Sequence, residues 1–329
     1  MVSPDASEGP VADAPLPTAV PPGTQLVVAD QQELLQSALR ASGELERLPF
    51  EVRFADFIGG PAVLEAFRAE AADIAPVGVS FHALTDGRDV PIVAAWQYSS
   101  TAFELAVAPG RPVRTLADLR GRKVAYAPGT AQQAAVLRAL SKAGLTLGDV
   151  EAVRLPLADF NDAVRTGQVD VAPLDEPRLT RFFRTPGATV LPDAETAGIY
   201  PGLGYLYARR AAVRDPAKAA AVRTFVAAFI RSFHWANTHP QECARRYYVE
   251  NQKVSAEDAT RILNALDGNV FPHLDQRLID RQQQILDLIH QTGELRRQPR
   301  AADGFDLRFD EVITRTVTEV GASFDRPSG

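Results

Sequence analysis

The sequence predicts an α/β protein built from two successive βαβ units and a helical C-terminal tail. Three observations carry this expectation. Short β-rich runs alternate with helical-period segments from residue 25 to about 95, the alternation restarts after residue 112, and beyond Tyr205 the apolar spacing is helical almost throughout. Strands that alternate with helices call for mostly parallel sheets with helices packed on their faces.

From Met1 to about Gly23 the chain is rich in proline, alanine and small acids and has no period, so it reads as a disordered tether. Gln25-Leu-Val-Val-Ala29 is the first strand, and Leu34, Leu35, Ala38 and Leu39 mark the helix after it. Phe50-Glu-Val-Arg-Phe54 alternates as a second strand. Gly59-Gly60-Pro61 then opens a helix carrying Val63, Leu64, Phe67 and Ala71 on one face, with the proline just inside its start. Asp73-Ile-Ala-Pro-Val77 and Ile92-Val-Ala-Ala95 are further strands, separated by a helix around Phe81 to Leu84 that stops at Gly87.

The rhythm breaks near Ala108-Pro-Gly-Arg-Pro112. A short helix at Leu116 to Leu119 and a strand at Lys123-Val-Ala-Tyr126 begin the second unit. Its next helix runs from Ala131 to Ala143, with Gly144 placed for a left-handed C-cap. A strand at Val150 to Leu155, a helix at Phe160 to Thr166 and a strand at Asp170 to Leu174 complete it. The tail reads as helices over Ala217 to Ala236, Pro240 to Glu250, Ser255 to Leu266, Gln276 to Thr292 and Leu307 to Val320.

The 329 residues suit two domains of ordinary size, and 46% hydrophobic with 23% charged residues is a globular composition. No run of 18 apolar residues offers a membrane span. A net charge of -6 gives no general attraction to nucleic acid, so no nucleic-acid partner is expected. The lone cysteine, Cys243, cannot close an internal disulfide. Phosphate-loop, H-E-x-x-H and paired C-x-x-C motifs are missing, so no cofactor or metal is expected. His234 and His239 stand five apart, off a shared helical face, and read as surface or packing residues.

Four segments in fixed order then point to a family. They are Phe57-Ile-Gly-Gly-Pro-Ala-Val-Leu-Glu-Ala-Phe67 leading to Asp73-Ile74; Thr115-Leu-Ala-Asp-Leu-Arg-Gly-Arg-Lys-Val-Ala125; Pro128-Gly-Thr-Ala-Gln-Gln133; and Leu157-Ala-Asp-Phe-Asn-Asp-Ala163 with Gly167-Gln-Val-Asp170. The chain resembles the substrate-binding proteins of ABC importers, in the sulfonate, taurine and nitrate branch that also holds pyrimidine-precursor binders. The resemblance implies a two-lobe periplasmic-binding-protein fold of type II with a two-strand hinge. Lobe one would be 24–106 with 198–329, lobe two 107–197, and 1–23 a tether. It further implies a monomeric extracytoplasmic receptor for a small organic anion, a sulfonate or related sulfur compound, with the ABC permease as partner. Its signal would be already removed, and its only membrane attachment would be an N-terminal lipid anchor. The alternatives are an enzyme on the same fold, akin to the branch's desulfinase or pyrimidine-pathway relatives, or a binder of nitrate, an aminopyrimidine or riboflavin.

In such sheets ligands lie beyond the carboxyl ends of the strands. The loops there supply Gln31, Phe57, Gly59, Gly60, Gly78, Ser80, His82, Trp96, Gln97, Tyr98, Gly129, Thr130, Ala131, Asp175 and Glu176, and Tyr200 lies where the chain re-enters lobe one. Glycines before a helix expose N–H groups at its positive end, worth about 0.3 to 1 kcal/mol each for an anion. They also serve as plain turn residues. Phe57, Trp96 and Tyr98 would make an apolar wall, though aromatics at strand ends pack in cores equally well. His82 is a packed histidine on the simpler reading, and Tyr200 hinge padding. Two departures fall in the pocket. Thr130-Ala131-Gln132 stands where the branch has Ser-Ser or Ser-His after the glycine, and Leu174-Asp175-Glu176-Pro177 where it has W-D-P. A doubled acid facing inward would repel a bare inorganic anion and favour a larger organic ligand. Cys243 is expected on a late helix remote from these loops, as a buried structural thiol.

Overall fold

The structure, a computed structural model, describes residues 14–85, 89–99, 102–200 and 202–326. The expected helix stop at Gly87 lies outside them. Four strands come first: β1 (Gln25–Asp30), β2 (Glu51–Asp56), β3 (Ile74–Gly78) and β4 (Ile92–Gln97), with α1 (Leu34–Ser42) and α2 (Gly60–Arg68) between them. Then follow β5 (Phe103–Val107), β6 (Lys123–Tyr126), α3 (Ala131–Lys142), β7 (Glu151–Arg154), α4 (Phe160–Arg165) and β8 (Val171–Asp175). After α5 (Arg178–Phe182), β9 (Thr189–Val190) and α6 (Asp193–Thr196), the chain returns through β10 (Leu203–Ala208).

The strands form two five-stranded sheets, β2-β1-β3-β10-β4 in lobe one and β7-β6-β8-β5-β9 in lobe two. Both are mostly parallel, as the sequence predicted, with one reversed strand in each. β1, β2 and β3 run parallel, but β10 is antiparallel to β3 and β4. Likewise β6, β7 and β8 run parallel and β5 is antiparallel to β8. In each sheet the reversed strand is the one on which the chain arrives from the other lobe. Neither strand is marked in the sequence. Leu203–Ala208 is buried at every position, so its apolar run has no alternation to read.

The tail comprises α7 (Arg210–Arg214), α8 (Pro216–Thr238), α9 (Pro240–Cys243), α10 (Ala256–Leu266), α11 (Gln276–Gln291) and α12 (Asp310–Val320). Asp215 caps α8 by accepting from the Lys218 N–H, and Pro216 sits at its first turn as helix chemistry favours. Gly144, at φ 66°, takes the left-handed place beyond α3. The stretch expected as one helix from Pro240 to Glu250 is instead α9 followed by a π-helical run, Ala244–Asn251. The main core joins β1, β3 and β10 to α8 through fully buried Leu26, Ile74, Leu206 and Phe225, each such side chain worth about 1.5–3 kcal/mol. A second cluster, around Phe160, Leu174 and Phe182, belongs to lobe two. A third, comprising Ala244, Tyr247, Tyr248, Val254, Ala259 and Ile262, belongs to the π-helical run and α10. The expected tether differs over 14–23: Leu16 is buried in the main core, because an apolar side chain in reach of that core gains by leaving water. Residues 1–13 of that expectation lie outside the described residues.

Candidate functional site

Between the lobes lies a cavity of about 750 Å3. Lobe one reaches it with Gln31, Gly59, Gly60, Gly78, Trp96 and Tyr98, and lobe two with Gly129, Thr130, Ala131, Asp175 and Glu176. Tyr200, just before β10, completes the twelve expected residues that line it. The other four do not.

The loop after β1 is ordered by its own acid. Buried Asp30 accepts from the N–H groups of Gln31, Leu35 and Gln36 at 2.8, 3.1 and 2.8 Å, which caps the start of α1. Burial outweighs these bonds and pushes its carboxyl up to about 6. The Gln31 amide is a brace: its Nε2 donates to Pro76 O at 2.7 Å and its Oε1 accepts from Gly59 N at 2.9 Å. That bond consumes the Gly59 N–H expected to face an anion.

The other glycines serve close approach between lobes. A Cβ on Gly60 would stand 2.3 Å from Gly129 O, one on Gly78 2.8 Å from Ala131 N, and one on Gly129 2.1 Å from Leu84 Cδ1. Lobe one therefore touches lobe two, backbone to backbone, at the loop before α3. Thr130 caps α3, accepting from Gln133 N at 3.4 Å while its hydroxyl donates to Ala127 O at 2.7 Å. The Gly129 N–H goes to Gln133 Oε1. The N–H groups of Ala131 and Gln132, in the first turn of a twelve-residue helix, have no protein acceptor among the described residues and carry the helix's positive end to the cavity.

The doubled acid is neutralised. Asp175 pairs with buried Arg178 at 2.5 Å. Glu176 accepts from Thr180 N and Oγ1 at 3.1 and 2.6 Å and from Arg261 at 3.0 Å. Each carboxylate has its own guanidinium, so the expected repulsion of anions is offset. Tyr98 and Tyr200, one on each crossing between lobes, share a 2.5 Å hydroxyl hydrogen bond, and Tyr200 stacks on Phe103 with centroids 4.0 Å apart. Burial pushes both phenols above their usual range. Trp96 forms the floor, flat against Gly204 and edge-on to Phe229 at 5.5 Å.

Four expectations are corrected. Gln97 faces away because side chains alternate along β4, and its main chain pairs with Val270 instead. Phe57 packs half-buried on the core, and the neighbouring Ile58, 48% exposed, reaches the cavity rim. Ser80 and His82 sit on the 3-10 turn Val79–Leu84, which winds inward beneath α11, where Gln282 donates to Val79 O. Both are buried. The His82 ring lies against Gly304 and Phe305 with neither nitrogen bonded, and burial lowers it to about 4.

The sequence missed the tail's contribution. Cys243, expected far from the site, lines the cavity, as do Arg246, Tyr247 and Tyr248, because the bend at Pro240 turns the π-helical run across the cleft. Burial pushes the Cys243 thiol up to about 11. Asn251 and Gln252 bond to Glu33 and to Gln32 O of lobe one, and Arg261 and Asp258 bond to Glu176 and Arg184 of lobe two. The sole sequence signal was Pro240.

A family model described as NMT1/THI5 like matches residues 60–243. A putative aliphatic sulfonates-binding protein of Escherichia coli is 29% identical over 194 residues, 58% of this chain and 58% of that protein. The match thus spans less than two thirds of that relative's length. The alkanesulfonate-binding protein SsuA from Xanthomonas axonopodis pv. citri, bound to MOPS, has a TM-score of 0.77 at 20% identity, over 88% of this chain and 99% of that one. The desulfurization enzyme DSZB has a TM-score of 0.62 at 15% identity, over 88% and 99%. These structural likenesses establish the two-lobe α/β fold of periplasmic binding proteins.

Proposed function

The chain belongs to the NMT1/THI5-like family, and from that membership we propose that it is the extracytoplasmic solute-binding receptor of an ABC importer. It captures a small organic anion, a sulfonate or related sulfur compound, between its lobes and presents it to the permease. The observation that carries the reading is the cavity of about 750 Å3, walled by strand ends of both lobes, with a helix N-terminus directed into it. Charge supports the same reading. Asp175 and Glu176 are each paired with an arginine, and neutral Asp30 removes a third repulsion at mildly acidic pH. Closing the lobes around the solute supplies the signal read by the membrane partner. No described helix is long and apolar enough to cross a membrane.

Cys243 at the cavity favours one rival, catalysis by a thiol. A nucleophilic cysteine needs its thiolate stabilised, whereas this thiol is pushed up to about 11 by burial and has no hydrogen-bonding partner among the described residues. We therefore assign it no chemistry. Thermal unfolding against alkane- and arylsulfonates, MOPS, taurine, sulfinates, sulfate and nitrate tests the function. A ligand at 100 times its Kd adds about 2.7 kcal/mol and raises the midpoint by a few degrees. A rise confined to sulfonates, with the ligand recovered unchanged, is the expected result; no rise with any sulfonate, or a converted product, refutes it.

A further inference from the structure

Three polar side chains in the cavity wall make no hydrogen bond to protein among the described residues. Gln132, 3% exposed at the second position of α3, has no hydrogen bond from its amide among the described residues. Tyr247 and Tyr248, each 6% exposed on the π-helical run, have none from their hydroxyls. Their polar atoms are not sealed in the protein but open onto the cavity, where a ligand atom can take the place of water. All three line the same cavity. Tyr247 lies within electrostatic reach of Asp30 from lobe one and of Asp175 and Arg178 from lobe two, and Tyr248 within reach of Glu176, Cys243 and Tyr98. The run that carries them shares a small core with α10 and is tied at its end to both lobes, through Asn251 and Gln252 to lobe one and through Arg181, which donates to Gln252 O, to lobe two. π-helical turns recur at functional sites because they reposition side chains that a regular helix would place elsewhere.

Building on the receptor reading above, we propose that the π-helical run is a third ligand-reading wall. Gln132, beside the free N–H groups of α3, binds the anionic head, and Tyr247 and Tyr248 donate to an acceptor atom on the organic body. The site thereby prefers organosulfonates that carry an oxygen or nitrogen acceptor away from the sulfonate over plain alkanesulfonates of similar size, and both over inorganic sulfate.

Calorimetric titration with MOPS, hexanesulfonate and sulfate tests it on the full chain, for the parent, Tyr247→Phe, Tyr248→Phe and Gln132→Leu. Each tyrosine variant is expected to weaken MOPS about three- to tenfold and leave hexanesulfonate unchanged. Gln132→Leu is expected to weaken both sulfonates. An unchanged ratio of MOPS to hexanesulfonate affinity in both tyrosine variants overturns the third-wall reading alone, and so does parental affinity for both sulfonates in Gln132→Leu. A parent that binds neither sulfonate overturns the sulfonate receptor and this inference with it.

Discussion

Gly60→Ala isolates lobe closure from lobe stability. Gly60 does not occupy the left-handed region, so alanine suits its backbone at the first turn of α2. The difficulty lies across the cleft. The new Cβ would stand 2.3 Å from Gly129 O, about 1 Å short of an ordinary contact, and the obstructing atom is main chain that cannot rotate aside. Within lobe one its nearest neighbour is Phe81 Cδ2 at 3.0 Å, a ring edge that can yield by a few tenths of an ångström. Overpacking of this kind costs about 1–3 kcal/mol, and here most of it falls on the closed arrangement alone. At 1.4 kcal/mol per decade, affinity for a solute bound by closure drops about five- to 140-fold. Calorimetry with MOPS reads the affinity, and small-angle scattering reads a larger radius of gyration. Gly148→Ala, whose Cβ would meet only Thr146 Oγ1 at 3.6 Å, is the matched control and should bind as the parent does. Parental affinity and parental compactness in Gly60→Ala would refute the claim that this glycine contact is made by closure.

Two buried groups predict opposite pH slopes. Asp30 is raised from 3.8 to about 6, so the folded chain holds a proton that the unfolded chain releases. Stability from this group is full below pH 3.8 and is lost as pH rises through 6, by about 3 kcal/mol. Asp30→Asn should remove that loss in urea unfolding between pH 4 and 7, and should also flatten any weakening of anion binding above pH 6; an unaltered difference counts against it. His82 is lowered from 6.5 to about 4, so stability is present above 6.5 and falls as pH drops toward 4, again by about 3 kcal/mol. His82→Leu should abolish this acid-side loss, and a parental acid limb would show that the ring is not buried neutral. Arg261→Ala leaves Glu176, whose side chain is 2% exposed, without its guanidinium. Because Arg261 is itself 44% exposed, the loss is set at about 1–2 kcal/mol, below that of a fully buried pair, and solute release should quicken; an additive double cycle with Glu176→Gln would deny the coupling.

Sequence specifies structure legibly where a local rule applies and ceases to do so where tertiary packing decides. Strands and helices of the two βαβ units follow from periodicity, and the rule that ligands gather beyond strand ends selected loops that do converge on one cavity. The same rule could not say which side chain of a loop turns inward. Gln97 is one residue out of phase with Trp96 and Tyr98, and the turn after β3 winds Ser80 and His82 into the core. In the sequence a glycine before a helix points to the N–H group it bares, yet Gly60 and Gly78 matter for the Cβ they lack, a distinction that appears only when Gly129 and Ala131 of the other lobe stand opposite. The tail is the harder case. Pro240 says that α8 must end but not where the chain goes next. A tyrosine joins an apolar body to a polar tip, so Tyr247 and Tyr248 satisfy a helix's packed face and a binding wall by the same composition. What separates the two roles is whether the hydroxyl already has a partner. That is a property of the surrounding space, so the wall proposed to distinguish one anion from another is the part a linear pattern is least able to carry.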